Sequence, residues 1–478
     1  MNKSIILHVL GWIMCFEAAF MALSFIVALI YGENGSGLAF LITIGICLLL
    51  GIPLVIKKPK NKVFFAKEGF VSVALGWVVL SLLGTLPFYI SGQIPGFIDA
   101  LFETISGFTT TGSSILSDVE ALDYSMLFWR SFTHWIGGMG VLVFILAILP
   151  LARGESMHIM RAESTGPSVE KLVPRMRTSA SLLYGIYIGL TILQILLLLA
   201  GRMPLFDAIT LSFGSAGTGG FAIKNSNLTS YTTYQQIVIG LFMFLFGVNF
   251  NFYYLILLRR VKDAFKIEEV RWYAVIVAVS VILIALNTGG FKGFLGSLHQ
   301  SAFQVTSIIT TTGYAMVDFN HWPSFSKEVL VLLMFIGACA GSTGGGMKVS
   351  RIITLFKAVG REMSHLVHKR SVKVLKLNGK KIEKETLHSI IIFFITYMII
   401  FAVSFLIISL DNFDVTTNFT ATLATLSNIG PGLESVGPMG NFEGFSVLSK
   451  LVMMFNMLAG RLEIFPLLLL FSPSTWKQ

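Results

Sequence analysis

Four short motifs rich in threonine and glycine contain the residues with the most informative chemistry. Thr-Thr-Thr-Gly stands at 109–112 and again at 310–313, Ala-Gly-Thr-Gly at 216–219, and Ser-Asn-Ile-Gly at 427–430. Backbone carbonyls can replace the hydration shell of a potassium ion, and glycine permits the backbone conformations that such a filter needs. The motifs therefore predict a potassium-type filter. Its candidate ligands are Thr110, Thr111, Gly112, Gly217, Thr218, Gly219, Thr311, Thr312, Gly313, Asn428, Ile429 and Gly430.

Each motif follows a moderately apolar stretch that is too short to cross a bilayer, which takes about 20 helical residues. These stretches are predicted to be re-entrant, and irregular backbone at membrane depth is tolerated only inside protein or beside a water-filled cavity. The motif glycines Gly112, Gly219, Gly313 and Gly430 are separated by 107, 94 and 117 residues. The pattern favours four repeated units around one cavity, although any one motif alone would also fit close packing of membrane helices.

The composition indicates that these motifs belong to a membrane protein. The chain of 478 residues is 54% hydrophobic and only 13% charged, against about 25% charged residues in an average soluble domain. Ten apolar segments approach bilayer length, and we expect the first to be retained rather than cleaved as a signal peptide. The predicted spans are 5–31, 38–56, 70–90, 126–151, 180–201, 234–258, 272–287, 329–349 with a tail to 359, 387–410 and 445–471.

The distribution of basic residues accounts for the net charge of +10. Most of the 35 lysines and arginines lie in four segments on one side of the predicted spans, whereas 91–125 on the other side contains none. This asymmetry follows the positive-inside rule and predicts that both termini are cytoplasmic, so nucleic-acid binding is not needed to explain the charge. Acidic residues on the outer side are predicted to concentrate cations at the mouth. They are Asp99, Glu103, Asp118, Glu120, Asp123, Asp207, Asp318 and Glu434.

The sequence offers little support for enzymatic or transition-metal chemistry. Cys15, Cys47 and Cys339 are far apart in apolar stretches, so neither a disulfide framework nor a zinc site is predicted. His365 and His368 are close in sequence but lie in a basic segment, where a solvated surface is the simpler interpretation. There is no HExxH motif and no convergent nucleophile–base arrangement. We therefore expect no enzyme, and potassium rather than an organic cofactor as the bound species.

The text around the motifs resembles the Trk/Ktr/HKT superfamily of potassium transporters over roughly residues 60–475. The matching passages are FWRSFTHWIGGMG at 128–140, AGTGGF at 216–221, GACAGSTGGGMK at 337–348, SNIGPG at 427–432 and NMLAGRLEIFP at 456–466. The additional apolar pair at 1–56 is more similar to the Trk-type membrane subunit than to the Ktr type. The resemblance implies an all-α polytopic membrane protein with four pseudosymmetric helix–pore loop–helix repeats around one pore. The implied units are an N-terminal helix pair at 1–60 and repeats at 61–160, 161–265, 266–375 and 376–478.

Two further features are candidates for a gate. Five glycines and a Ser-Thr pair interrupt the span at 337–348, and each glycine disfavours helix by about 1 kcal/mol, so we expect a break near Gly341–Gly346. Arg461 lies mid-way along the last predicted span, where a charge is costly and by default functional. The resemblance implies that the broken segment forms a loop beneath the filter and that Arg461 lies in the pore. The gating candidates are Gly341, Ser342, Thr343, Gly344, Gly345, Gly346, Lys348 and Arg461.

Other interpretations of these two features stay open. Gly341 and Gly346 have the spacing of a phosphate-binding loop, but Met347 separates Gly346 from Lys348 and no strand precedes the motif. Close helix packing would also explain the glycines. Arg461 could pair with an acidic residue on another helix, whereas Glu463 does not face it on a regular helix.

The expected function is potassium uptake down the electrochemical gradient across a bacterial plasma (inner) membrane. The resemblance also implies a homodimer and a cytosolic regulatory subunit that binds nucleotide through Rossmann-like domains; this chain has no nucleotide motif of its own, and its basic segments, especially 357–384, are long enough to dock a partner. The alternative is a symporter that couples potassium to sodium or protons. Such coupling would need a buried acidic residue beside the pore, for which Glu463 is the best candidate and Glu17 a second.

Overall fold

The structure, a computed structural model, describes residues 2–59, 65–138, 140, 176–369 and 373–476. Within these ranges the chain is almost entirely helical, with one small antiparallel hairpin. The elements in chain order are α1 (Lys3–Tyr31), α2 (Asn34–Ile56), α3 (Ala66–Ile90), α4 (Phe97–Phe108), α5 (Tyr124–Gly138), α6 (Met176–Ala200), α7 (Leu205–Gly217), α8 (Thr233–Phe246), α9 (Phe250–Leu257), α10 (Val261–Ala264), α11 (Glu268–Ile309), α12 (Ser324–Ile336), α13 (Val349–Val367), β1 (Lys376–Leu377), β2 (Lys380–Lys381), α14 (Lys384–Ile408), α15 (Val415–Ser427), α16 (Val447–Arg461), α17 (Phe465–Phe471) and α18 (Pro473–Trp476). Short 3₁₀ turns lie at Phe319–His321, Ser409–Asp411 and Glu434–Val436.

Six of the described helices are long and apolar enough to cross a membrane without interruption. Helices α8 and α9 together would form a seventh crossing, although they are bent by 92° at the break between them. The chain is therefore a multi-pass membrane protein. The uninterrupted segments are Lys3–Tyr31, Asn34–Ile56, Lys67–Ile90, Ser181–Ala200, Glu268–Gly290 and Lys384–Asp411.

Two of the ten predicted spans are interrupted where a continuous helix was predicted, and for these two the prediction was wrong. The segment predicted at 234–258 breaks between Phe246 and Phe250, and the one at 445–471 breaks after Arg461. The segment at 329–349 breaks as predicted, but the break is wider and runs from Gly337 to Lys348; we call 337–348 the intramembrane loop. The predicted span 126–151 is helical to Gly138, and most of its remainder lies outside the described residues.

Local chemistry explains where the unexpected breaks occur. Asn249 caps the start of α9, because its side-chain oxygen accepts a hydrogen bond from the Asn251 N–H at 2.9 Å. In the last segment Pro466 lies in the first turn of α17. Proline lacks a backbone N–H and fits the first turn of a helix, where that group has no intrahelical acceptor, so its position suits the restart of the helix. Glu463 and Ile464 form the corner, with φ angles of 57° and 66°.

The third stretch that was predicted to be re-entrant is joined directly to the span before it. Helix α11 runs for 42 residues but contains a non-helical residue, Gly290, with φ 57° and ψ −171°. This kink separates the spanning part of α11 from a short helix that ends at Ile309.

The N-terminal pair α1 and α2 packs closely against itself and against α3. A Cβ atom at Gly11 would lie 2.9 Å from the Gly51 carbonyl oxygen, and one at Gly51 would lie 3.0 Å from the Gly11 carbonyl oxygen. Small residues permit such close contact of two membrane helices. The pair also contacts α5, which contributes the fully buried Trp129 to the core of the protein. The Trp129 indole N–H donates to the Gly84 carbonyl oxygen at 3.1 Å.

Candidate ion-binding site

Four short helices, α4, α7, the end of α11 and α15, are each followed by the same backbone conformation. One residue in the left-handed region comes first, and a glycine with positive φ follows two positions later. The residue between these two also donates its N–H to the carbonyl oxygen of the residue five positions before it. The left-handed residues are Thr110, Thr218, Thr311 and Asn428, with φ of 55°, 55°, 59° and 57°. The glycines are Gly112, Gly220, Gly313 and Gly430, with φ of 79°, 75°, 85° and 94°.

When the four segments are aligned by this backbone conformation, the second motif moves by one residue relative to the alignment predicted from the sequence. The sequence prediction matched Gly219 to Gly112, but Gly220 has the corresponding positive φ. Gly219 instead donates its N–H to the Gly214 carbonyl at 2.8 Å, as Thr111 does to Ser106 at 2.9 Å. Gly217 is the last residue of α7. The sequence AGTGGF contains three glycines and can be aligned with the other motifs in two ways, so the amino-acid sequence alone could not decide between them. We call 109–112, 217–220, 310–313 and 427–430 the candidate filter segments.

The four glycines lie against carbonyl oxygens of neighbouring segments, and the contacts close into a ring. A Cβ atom at Gly112 would lie 1.9 Å from the Gly219 oxygen, and one at Gly220 would lie 1.9 Å from the Thr312 oxygen. A Cβ at Gly313 would lie 2.1 Å from the Ile429 oxygen. The fourth contact returns to the first segment, because a Cβ at Gly430 would lie 2.9 Å from the Thr111 oxygen. All four glycines also line one cavity.

A buried ion pair supports two of these segments from α5. The Arg130 Nε donates to Glu103 Oε1 of α4 at 2.6 Å, and both side chains are almost completely buried. Arg130 also donates to the Ala222 carbonyl at 2.7 Å and stacks on Phe221, with its guanidinium carbon 3.5 Å from the ring centroid. Glu103 was predicted to attract cations at the mouth; this part of the prediction was wrong, because its charge is already neutralised by Arg130.

His134, one turn further along α5, joins the same two regions. Its Nδ1 lies 2.7 Å from the Gly107 carbonyl oxygen of α4, and its Nε2 lies 3.2 Å from the Phe221 backbone nitrogen. A carbonyl accepts and a backbone N–H donates, so the partners assign a neutral ring with the proton on Nδ1. His134 therefore fixes the end of α4 relative to the residue after Gly220.

The other outer acidic residues are partly engaged as well. Asp99 pairs with Lys450 at 2.6 Å, and Asp207 accepts a hydrogen bond from the Tyr231 hydroxyl at 2.9 Å. Other hydrogen bonds and ion pairs involve Asp118, Glu120, Asp123, Asp318 and Glu434. These carboxylates are therefore less free than the sequence suggested.

The intramembrane loop contacts the third and fourth candidate filter segments. The Gly345 N–H donates to the Thr311 hydroxyl at 2.6 Å. A Cβ atom at Gly344 would lie 2.8 Å from the Thr310 carbonyl oxygen, and one at Gly345 would lie 2.5 Å from the Ser427 carbonyl oxygen. Only glycine can approach the carbonyls this closely. The glycines of this loop therefore permit close contact with the candidate filter segments. This contact accounts for them, rather than the phosphate-binding loop considered from the sequence.

Two buried basic side chains hold the loop. Lys348 has φ 79°, is 1% exposed, and donates from Nζ to the Gly344 carbonyl. Arg461 donates from Nη1 to the Thr343 carbonyl at 2.8 Å and from Nη2 to the carbonyls of Gly137 and Gly138 at the end of α5. The structure thus brings Arg461, Lys348 and the intramembrane loop together. Gly341, Ser342 and Gly346 lie in the same loop; Ser342 donates from its hydroxyl to the Cys339 carbonyl at 2.6 Å.

The two carboxylates considered for ion coupling lie elsewhere. Glu463 forms an ion pair with Arg351 of α13, whose guanidinium carbon lies 3.9 Å from the Phe393 ring centroid. Glu17 is buried in α1, and its Oε1 lies 3.2 Å from where a Cβ of Gly84 would be. Among the described residues there is no group of three or more His, Cys, Asp or Glu side chains that could hold a metal ion.

Sequence reasoning missed the role of two polar residues. Asn428 donates from Nδ2 to the Thr111 hydroxyl at 2.9 Å and to the Met457 carbonyl at 2.9 Å, so it links the fourth segment to the first. Glu269 accepts hydrogen bonds from the Ala340 N–H within the intramembrane loop and from the Ser350 N–H just after it. A glutamate at the start of an apolar span was the available signal for Glu269, since a membrane charge indicates function.

Comparisons with known proteins give a consistent result along the whole chain. The family TrkH, described as "Cation transport protein", matches residues 36–478. The "Trk system potassium uptake protein TrkH" of Salmonella typhimurium is 36% identical over 490 residues, and that of Escherichia coli K12 is 35% identical over 489; both alignments cover 100% of each chain. The crystal structure of the potassium transporter TrkH from Vibrio parahaemolyticus has a TM-score of 0.88 at 31% identity and also covers 100% of both chains.

Proposed function

The chain belongs to the TrkH family of cation transport proteins, and from this premise we propose that it takes up potassium across the bacterial inner membrane. The relatives named above are potassium uptake proteins, and they match this chain from end to end. The four candidate filter segments supply the chemistry for such a substrate. The ion loses its water to enter, and backbone oxygens replace that water.

We propose four helix–pore loop–helix repeats, at 61–160, 161–265, 266–375 and 376–478, arranged pseudosymmetrically around one pore beside the N-terminal pair at 1–60. The closed ring of glycine–carbonyl contacts is the observation that carries this proposal. Four segments that are far apart in sequence have matching φ angles, and each contacts a neighbour. A ring of this kind has a common axis along which one ion can pass.

The short helices before the segments would favour a cation on that axis. The C-terminal end of a helix carries a partial negative charge. Helices α4 and α11 end immediately before their segments, and α7 and α15 end at the first residue of theirs. Within the second segment the ligands we propose are Thr218, Gly219 and Gly220, in place of the earlier set that began at Gly217. In the other three segments the proposed ligands are unchanged.

We propose that the intramembrane loop is the gate and that Arg461 and Lys348 hold it closed. The loop contacts two of the four segments, and two buried cations donate hydrogen bonds to its carbonyls. A fixed positive charge beside the path opposes the passage of another cation. Opening would need the loop and these charges to move away from the axis.

Flux through such a gate would follow the potassium gradient, as in a channel. The coupled alternative, a symporter with sodium or protons, has less support because Glu463 is engaged by Arg351 and Glu17 is packed beside α3. We propose no covalent chemistry and no organic cofactor for this chain. A nucleotide-binding regulatory subunit would dock on basic segments such as 357–384, and the membrane protein would act as a homodimer.

Rubidium uptake into liposomes carrying the purified protein tests the proposed function. Gly112→Ser and Gly313→Ser should abolish uptake or admit sodium, since neither position has space for a side chain. Gly185→Ala is the matched control, because a Cβ atom there meets nothing within 4 Å. Variants that match an active wild type would refute the filter assignment. A silent wild type calls for the same assay with the regulatory subunit added.

A further inference from the structure

Two adjacent glutamates at the start of α11 make contacts with different parts of the protein. Glu268 faces the β1–β2 hairpin: its N–H donates to Asn378 Oδ1 at 2.7 Å, and the Asn378 N–H donates back to Glu268 Oε2 at 3.3 Å. Glu268 also pairs with Lys357 of α13, and the Lys357 Nζ donates to the Lys376 carbonyl at 2.9 Å. The first residue of α11 thereby ties the hairpin to α13.

Glu269 points to a different side of the helix and is 3% exposed. Its Oε1 accepts hydrogen bonds from the Ala340 N–H at 2.7 Å and from the Ser350 N–H at 3.0 Å. Its Oε2 accepts from Asn249 Nδ2 at 3.4 Å. Ala340 lies in the intramembrane loop and Ser350 lies one residue after the start of α13, so a single carboxylate holds both ends of the glycine-rich part of the loop.

The Asn249 contact extends this arrangement to the break between α8 and α9. There the Phe250 N–H donates to the Gly341 carbonyl at 3.0 Å, and the Cys339 N–H donates to the Gly247 carbonyl at 3.1 Å. The loop is therefore bonded to the α8–α9 break on one side and to α11 on the other. A carboxylate near a helix N-terminus is favourable in any protein. That effect alone does not explain why the Glu269 side chain is buried, or why it accepts hydrogen bonds from residues 71 and 81 positions away.

We propose that Glu269 is a positioning residue for the gate, and that Glu268 couples it to the hairpin so that a partner bound there can release the loop. This inference rests on the proposed function. Because the two glutamates are consecutive in one helical turn, movement of Glu268 with the hairpin displaces Glu269 as well. Hydrogen bonds to an ionised carboxylate are about twice as strong as neutral ones, so this contact is a substantial part of what holds the loop.

The surface of the hairpin indicates the kind of partner. The hairpin and the residues beside it carry five exposed lysines against two exposed glutamates, Glu383 and Glu385. This excess of positive charge fits a partner with an acidic surface. Lys357 contributes a sixth positive charge, but it is partly screened by Glu268. The exposed lysines are Lys373, Lys376, Lys380, Lys381 and Lys384.

Rubidium flux without any partner is the first test, in liposomes carrying the full-length chain. Glu269→Gln should raise the flux by roughly tenfold, because the neutral amide holds the Ala340 and Ser350 N–H groups less strongly. Glu328→Gln is the matched control: it removes an exposed carboxylate from α12, outside the proposed docking segment, and should leave the flux unchanged. Flux at or below the wild-type level in Glu269→Gln would overturn the positioning role. If wild type and Glu269→Gln both stay inactive, with the regulatory subunit added as well as without it, the result counts against the proposed function instead.

Hydrogen exchange of the full-length protein tests the coupling independently of transport. Peptides containing Ala340 and Ser350 should exchange faster in Glu269→Gln, and to a smaller extent in Glu268→Gln, than in wild type and Glu328→Gln. Loop exchange that is unchanged in Glu268→Gln overturns the link to the hairpin. If Glu269→Gln fails to fold, Asn249→Ala removes one hydrogen bond from the same carboxylate and should change exchange in the same direction. No change in that variant overturns the proposal.

Discussion

The Arg461 Nη1 donates a hydrogen bond to the carbonyl oxygen of Thr343 at 2.8 Å. This contact joins the break in the last span to the intramembrane loop, and the same guanidinium bonds the carbonyls of Gly137 and Gly138. A planar guanidinium can donate in several fixed directions at once. Arg461 therefore fixes the position of the loop relative to α5 as well as contributing positive charge.

Replacing Arg461 with alanine should increase rubidium flux in the absence of any partner. A hydrogen bond to a charged group contributes about 1.5–3 kcal/mol, so losing the Thr343 contact should favour the released loop by roughly tenfold or more. Arg461→Lys keeps the charge but not the forked geometry, and it should give an intermediate flux. Initial uptake rates into liposomes measure both effects. Equal rates in wild type, Arg461→Ala and Arg461→Lys would show that Arg461 is not part of the gate.

The identity of the second filter glycine can be tested at Gly220. Its φ is 75°, and a Cβ atom there would lie 1.9 Å from the Thr312 oxygen, which belongs to the third segment. Gly220→Ala should therefore lower the rubidium-to-sodium permeability ratio by roughly tenfold, because a displacement of even one ligand alters the fit to the ion. Gly189→Ala in α6 is the control, since its Cβ would meet nothing within 4 Å.

Permeability ratios from paired rubidium and sodium uptake measure this effect. A wild-type ratio in Gly220→Ala would contradict the alignment that places Gly220 opposite Gly112. In that case Gly219 would have to be reconsidered as the glycine of the second segment.

The four short motifs and the broken span could be recognised from the sequence, because both depend on local composition. Glycine-rich text disfavours helix wherever it occurs, so the break at 337–348 could be predicted and was found. The alignment of Gly219 could not be decided in the same way. Glycine adopts positive φ more easily than other residues, but three glycines within AGTGGF leave the choice to contacts with distant segments, here the Thr312 carbonyl.

The role of charged residues was harder to predict, because it depends on partners far away in sequence. Glu103 was assigned to the outer mouth, yet it pairs with Arg130, 27 residues later. Glu463 was considered as a partner for Arg461 or as a coupling residue, yet it pairs with Arg351. Because the helix breaks after Arg461, the residues around the break do not face the neighbours that a regular helix would give them. The assumption of a regular helix was wrong there.

The buried pair of Glu103 and Arg130 should be important for stability. Removing one partner of a buried ion pair leaves the other charge unpaired and costs about 3–5 kcal/mol. Glu103→Gln should therefore lower the free energy of unfolding, and thermal unfolding in detergent measures this loss. The double variant Glu103→Gln, Arg130→Gln should be destabilised by less than the sum of the single changes, since no charge remains buried. An additive double variant would show that the two residues act separately.

The fit of the intramembrane loop against the fourth segment can be tested at Gly345. A Cβ atom there would lie 2.5 Å from the Ser427 carbonyl oxygen and 3.1 Å from the Asn428 Cβ. In Gly345→Ala either the loop or the segment must move, and the glycine-rich loop is the more deformable of the two. We expect a severalfold rise in rubidium flux with an unchanged rubidium-to-sodium ratio. Gly360→Ala in α13, where a Cβ meets nothing within 4 Å, should leave both quantities unchanged.

The two readouts separate the possible responses of the structure to Gly345→Ala. A higher flux with the wild-type ratio means that the loop has moved away from an intact filter, as a gate must. A lower ratio means that the alanine has displaced Ser427 and Asn428 instead, and the loop then supports the filter rather than closing it. Wild-type flux and ratio together would show that neither the loop nor this contact lies on the ion path, which would contradict the gate assignment directly.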